Sequence, residues 1–108
     1  MHHALDGWDI GRTAELDWAP WGGTTGDARA KVLAVADDYY LTLVEAGPGY
    51  AGDAHEHAHP EFLYVVAGSL RTQGVHLHAG DGYAASAGSV HTDFATDTGA
   101  TFVLTFRL

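Results

Sequence analysis

The chain has 108 residues, a length that suits one domain, and 46% of them are hydrophobic, enough to fill a single core. Fourteen acidic residues against five basic ones give a formal net charge of -9. With so few lysines and arginines to meet phosphates, neither nucleic acid nor an anionic membrane surface is expected as a partner.

There is no cysteine, which excludes a disulfide framework and a thiolate metal site and fits a reducing compartment. No apolar run approaches the length of a membrane-spanning helix. The stretch Met1 to Asp6 lacks the basic and apolar regions of a secretion signal, so the expected location is the cytoplasm.

Residues 1–30 read as an N-terminal extended arm. They hold all three tryptophans, Trp8, Trp18 and Trp21, and a Pro20-Trp21-Gly22-Gly23 break, with no sustained period of a strand or helix. The tryptophans are expected to pack on the outside of the domain or against a second subunit, because exposed indoles make a sticky surface. His2 and His3 are set aside from any site.

From Lys31 the pattern changes, and residues 31–108 read as one β domain. Lys31 to Ala36 is a first strand, and the aromatic and β-branched run Tyr39 to Glu45 a second. Gly47-Pro48-Gly49 is a turn. Phe62 to Val66 is the clearest strand, with Ala67-Gly68-Ser69 expected to turn it back into Leu70 to Gln73 as a hairpin. Val75 to His78, Tyr83 to Ala85, Val90 to Ala95 and Thr101 to Leu108 complete the set, with Val75 and Leu77 inside and His76 and His78 facing solvent. Roughly eight short strands separated by glycine-bearing turns mean an all-β sandwich or barrel. The last strand is apolar on both faces, so it is buried on both sides or lies at an oligomer interface.

The chemistry concentrates in His55-Glu56-His57-Ala58-His59-Pro60-Glu61. On a strand, His55 and His57 put both imidazoles on the same face. With Glu61 and the downstream His91 they make a mixed nitrogen and oxygen ligand set. Such a set suits one divalent transition metal, Fe(II) or Mn(II) first, with Zn(II), Ni(II) and Cu(II) also accepted. Two alternatives stay open at this point: Glu61 as a partner of a ligand histidine, and His59 in its place.

The same residues carry a resemblance. Gly49, His55, His57, Glu61 and Gly68 stand at every defining position of the first motif of the cupin superfamily. Of the second motif, Gly80, Gly88 and His91 match, while Ser86 replaces the family's proline and Ala95 its asparagine. Trp18, the Gly47-Pro48-Gly49 lead and Gly88-Ser89-Val90-His91-Thr92 resemble a narrower branch. That branch holds the ChrR-like cupins with their acetylacetone-cleaving and dihydroxyacetophenone dioxygenase relatives.

The resemblance implies an all-β small barrel, a double-stranded β-helix or jelly roll. It also implies metal ligation by His55, His57, Glu61 and His91, and a homodimer. By strand alternation Leu63, Val65 and Asp93 should line the pocket, with Asp93 a candidate acid or base. Tyr39, Tyr40 and Tyr83 are possible pocket hydroxyls, though packing is their more ordinary use. The expected ligand is a small molecule with a chelating oxygen pair. The reading favoured is dioxygenase-type C–C cleavage of a diketone or hydroxyketone. A non-redox lyase, isomerase or polyketide-type cyclase, or a ChrR-type metal- or ligand-sensing module, is the alternative.

Overall fold

The run Glu61-Phe62-Leu63-Tyr64-Val65 alternates in burial as it does in the sequence, odd residues inward and even residues exposed. This is the signature of a strand with one face on a core. The computed structural model describes residues 2–108, with side chains from Leu5 onward. The side chains of His2 and His3 therefore lie outside the described residues.

The strands, in chain order, are β1 (His2–Leu5), β2 (Trp8–Gly11), β3 (Ala19–Pro20), β4 (Ala28–Ala36), β5 (Tyr39–Ala46), β6 (His55–Glu56), β7 (Glu61–Thr72), β8 (Val75–His78), β9 (Gly82–Ala85), β10 (Val90–His91) and β11 (Ala100–Arg107). A short 3-10 turn at Thr13–Glu15 is the only helical element among the described residues. The main sheet has the order β3-β4-β5-β11-β7-β8, with β9 also paired to β7. β6 and β10 form a separate short ladder, and every pairing is antiparallel. The sheet curls around a core of Val44, Val65, Leu70, Phe102 and Leu104, with Leu63 and Tyr50 beside them. This is the all-β jelly roll that the strand count and motif imply.

Gly68 is not a turn. β7 runs through it to Thr72, and the reversal comes at Gln73 and Gly74, both at positive φ. Instead the ladder with β11 slips one residue between Thr101 and Phe102, so that Ala67 and Val65 are paired and Val66 is the extra residue. The slip is a β-bulge, and it reverses the inward parity: Glu61, Leu63 and Val65 face inward before it, Leu70 and Thr72 after it. Glycine is needed at 68 for two reasons. Its φ is +77°, and a Cβ there would lie 2.2 Å from the Gly99 carbonyl oxygen.

Three further expectations are corrected. The strand expected at Val90 to Ala95 is only Val90–His91, because the backbone of Ala95 turns away to pair with Arg71. Val75 is exposed rather than in the core, leaving Leu77 as the partly buried residue of β8. The tryptophans do not share one outer surface. Trp8 is exposed, Trp18 lies under Arg29 and Lys31, and the half-buried Trp21 turns inward onto Phe106, with ring centroids 5.9 Å apart. The reason is β3: its pairing with the edge of β4 swings Trp21 across the end of the sheet, where its amide N–H bonds the Ala28 carbonyl.

Candidate metal centre

His55 lies on β6 and His91 opposite it on β10, paired in register. The chain after His55 is tied to the turn before β10: the His57 amide N–H bonds Ser89 O at 2.8 Å, and the Gly88 amide bonds His57 O at 2.6 Å. Glu61 then opens β7. These ties gather four side chains. One ligand atom from each of His55, His57, Glu61 and His91 lies within 4.8 Å of the others, and all but His55 are buried. The three imidazole centroids are 4.8 to 5.2 Å apart.

The hydrogen bonds fix which nitrogen His55 and His57 offer. The Asp53 carbonyl can only accept, so His55 donates from Nδ1 at 2.9 Å and keeps its Nε2 lone pair. The Ser89 hydroxyl gives its proton to the Ser86 carbonyl at 2.7 Å, so it accepts from His57 Nδ1 at 3.0 Å. His91 Nε2 bonds the Thr72 hydroxyl at 2.9 Å and lies 3.4 Å from Tyr83 OH. The nitrogens left over, His57 Nε2 and His91 Nδ1, are buried without a hydrogen-bond partner. They face the Glu61 carboxylate at 3.4 and 3.6 Å.

Buried polar atoms are ordinarily paired. Two unpartnered ring nitrogens converging on a carboxylate, each ring bonded from behind to a hydroxyl, fit a divalent cation. Burial holds His91 below the ordinary imidazole range, with the Glu61 carboxylate pulling the other way. The neutral form that a metal needs is thus the favoured one. Tyr83 donates to Glu61 Oε2 at 2.6 Å, and burial, with Glu61 beside it, pushes the phenol far above its usual range, so it stays a donor.

The cluster opens onto a cavity of about 330 Å³. Leu63 lines it as the alternation predicts, but Val65 does not. Val65 is fully buried one step further along β7, in the core. Asp93 is not in the cavity either. Its carboxylate accepts the backbone N–H groups of Gln73 and Gly74 and so caps the turn between β7 and β8. The alternation that pointed it inward fails because β10 ends at His91. His59 stands outside the cluster, and so do the exposed His76 and His78. Tyr40 stacks on Phe106 and Tyr39 lies near Arg107, while Tyr83 alone of the three tyrosines lines the cavity.

Sequence reasoning missed Ser89, Thr72, Trp21 and Phe94. Ser89 lies inside the second motif, two residues from His91, and was open to discovery there. Thr72 was hidden by the bulge. Phe94 bridges the cluster and the core, with its ring 5.4 Å from both His91 and Phe102.

A family model for the ChrR cupin-like domain matches residues 8–107. The chain belongs to this ChrR cupin-like family. No curated protein sequence matches it. Among solved structures, a proposed acetylacetone dioxygenase from Methylibium petroleiphilum PM1 superposes with a TM-score of 0.85 at 20% identity, over 99% of this chain and 81% of its own. An acetylacetone dioxygenase from Acinetobacter johnsonii gives 0.80 at 16% identity, over 97% and 76%. A chain from the complex of Rhodobacter sphaeroides SigE with the anti-sigma ChrR gives 0.73 at 23% identity, over 88% and 51%. At these identities the likeness is one of fold. The ChrR cupin-like fold thus carries a His/Glu cluster able to bind a metal in this chain, beside a cavity of small-molecule size.

Proposed function

We propose that His55, His57, Glu61 and His91 bind one divalent transition metal, and that the site cleaves a C–C bond of a small enolisable diketone or hydroxyketone with dioxygen. For a 1,3-diketone the balance is one dioxygen consumed and two products formed, a carboxylic acid and a 1,2-dicarbonyl, with both oxygen atoms retained in them. The observation that supports the metal most directly is the pair of buried, unpartnered nitrogens facing Glu61. The acetylacetone dioxygenases among the structural relatives support the choice of reaction.

When bound, a divalent ion such as Fe(II) or Mn(II) supplies Lewis acidity towards an enolisable oxygen pair and redox chemistry towards dioxygen. The chain does the rest. Ser89 and the Asp53 carbonyl hold His57 and His55 in their ligating tautomers, and Thr72 orients the His91 ring. Tyr83 stays protonated and donates its O–H to Glu61 Oε2, which leaves Oε1 nearer His57. Phe94 and Leu63 supply apolar wall beside the cluster.

A second reading is a ligand-sensing module, favoured by the ChrR match of the family model and of the SigE complex. The deciding experiment measures metal content and oxygen uptake on protein prepared without chelator or affinity resin. About one equivalent of iron or manganese, lost in His57→Ala, with diketone-dependent oxygen uptake, supports the oxygenase. Full turnover with zinc and without oxygen moves the site to lyase or cyclase chemistry. Metal binding with no turnover on any diketone or hydroxyketone favours the sensor.

The homodimer belongs to the same proposal. Leu41 of β5 and Phe62, Tyr64 and Val66 of β7 lie exposed on the outside of the sheet. Light scattering that finds a monomer at micromolar concentration overturns it.

A further inference from the structure

The cavity next to the cluster is aromatic. Trp21, Tyr50, Tyr83, Phe94, Phe102 and Phe106 all contribute to its wall. Its charged side chains other than the histidines are acidic, Asp53 and Glu61. Among the described residues no lysine or arginine reaches it, because all five are engaged elsewhere. Arg12 lies 3.7 Å from Glu15, Arg29 2.7 Å from Glu45, Arg71 2.9 Å from Asp97 and Arg107 3.6 Å from Asp38. Lys31 donates to the Thr13 carbonyl at 2.8 Å.

Charge then limits the ligand. A divalent ion beside the Glu61 carboxylate leaves one net positive charge, which one enolate balances. A dicarboxylate brings a second negative charge beside Asp53, in a wall with no lysine or arginine to pair it, and like charges at close range repel. Shape limits it further. Trp21 is the largest of the lining side chains, and it meets Phe106 edge to face, with the rings inclined at 67°.

The backbone that carries that indole is tied down at three points. The Trp21 amide N–H bonds Ala28 O at 3.0 Å. Tyr50 OH donates to Gly22 O at 2.5 Å. Gly23 lies so close to Tyr50 that a Cβ there would be 2.5 Å from its ring. A wall held in this way loses little entropy when a planar ring packs against it.

We infer that the site takes an oxygen chelator that carries a single negative charge once bound and bears an aromatic ring, and that Trp21 sets the preference for the ring. This rests on the metal-centre reading above. It names the class of substrate within that reading.

The test is calorimetric titration of the full chain, zinc-loaded to prevent turnover, beside Trp21→Leu and Phe106→Leu. The probes are acetylacetone, 1-phenyl-1,3-butanedione and oxalate. The phenyl diketone should bind about tenfold tighter than acetylacetone, the size of one added ring contact. In Trp21→Leu that preference should fall to about twofold or less with zinc content unchanged. Oxalate should bind at least about a hundredfold more weakly than either diketone.

Equal affinities for the two diketones, an aryl preference unchanged in Trp21→Leu, or oxalate as tight as the diketones would overturn the inference. If Trp21→Leu loses the folded circular dichroism signal, Phe106→Leu decides by the same criteria. Failure to take up zinc sinks the metal reading separately. The metal-free protein titrated with acetophenone then decides the aromatic half: binding that is lost in Trp21→Leu supports it, and no binding to the wild type overturns it.

Discussion

His57 and Ser89 show how the centre is built residue by residue. Because the Ser89 proton is committed to the Ser86 carbonyl, the hydroxyl can only accept from His57, and the tautomer follows. Ser89→Ala removes the acceptor and leaves the ring free to turn. Metal affinity should fall by about 10- to 100-fold with little change in secondary structure, as read by competition with a chromophoric chelator.

His91 carries the pH dependence. Burial lowers its folded value below that of the unfolded chain, so on acidification the unfolded chain takes the proton first. Stability of the metal-free protein is therefore intact above about pH 6.5 and lost as the pH falls through the imidazole range. Thermal unfolding in chelator should show the melting temperature dropping over that range, and His91→Gln should flatten the drop.

At the scale of elements, the bulge in β7 matters most. Without the extra residue Val66, Thr72 would face outward and His91 would lose its hydroxyl partner. Gly68→Ala forces a side chain onto the Gly99 carbonyl at a positive φ. It should cost at least about 1–3 kcal/mol in urea unfolding, the usual scale of a strained backbone position. A midpoint equal to the wild type would show that the bulge relaxes freely. The turn after β7 has its own support in Asp93, whose carboxylate caps Gln73 and Gly74.

Over the whole molecule, the centre ties together parts of the chain that are far apart in sequence. His55 and His57 lie before β7, Thr72 at its end, Tyr83 on β9 and His91 on β10. A ligand that binds only the folded state stabilises it in proportion to its excess over Kd, about 2.7 kcal/mol at a hundredfold excess. Adding zinc to the metal-free protein should thus raise the melting temperature, and His57→Ala should abolish the rise. An unchanged melting temperature in the wild type would speak against metal binding at this cluster.

The sequence alone determined the strand-rich class, the identity of the four clustered side chains and the family, because these rest on local alternation and on fixed intervals within short segments. Leu63 was legible in the same way, as its parity follows directly from Glu61. Tertiary structure decided what depends on register and crossing segments. A one-residue bulge turned Thr72 inward, the early end of β10 took Asp93 out of the pocket, and the edge pairing of β3 brought Trp21 into it. Side-chain direction in a strand has a period of two, so a single inserted residue or a strand that stops early reverses every inference downstream. Intervals along the chain do not record where such a slip occurs. Only the pairing of distant strands does.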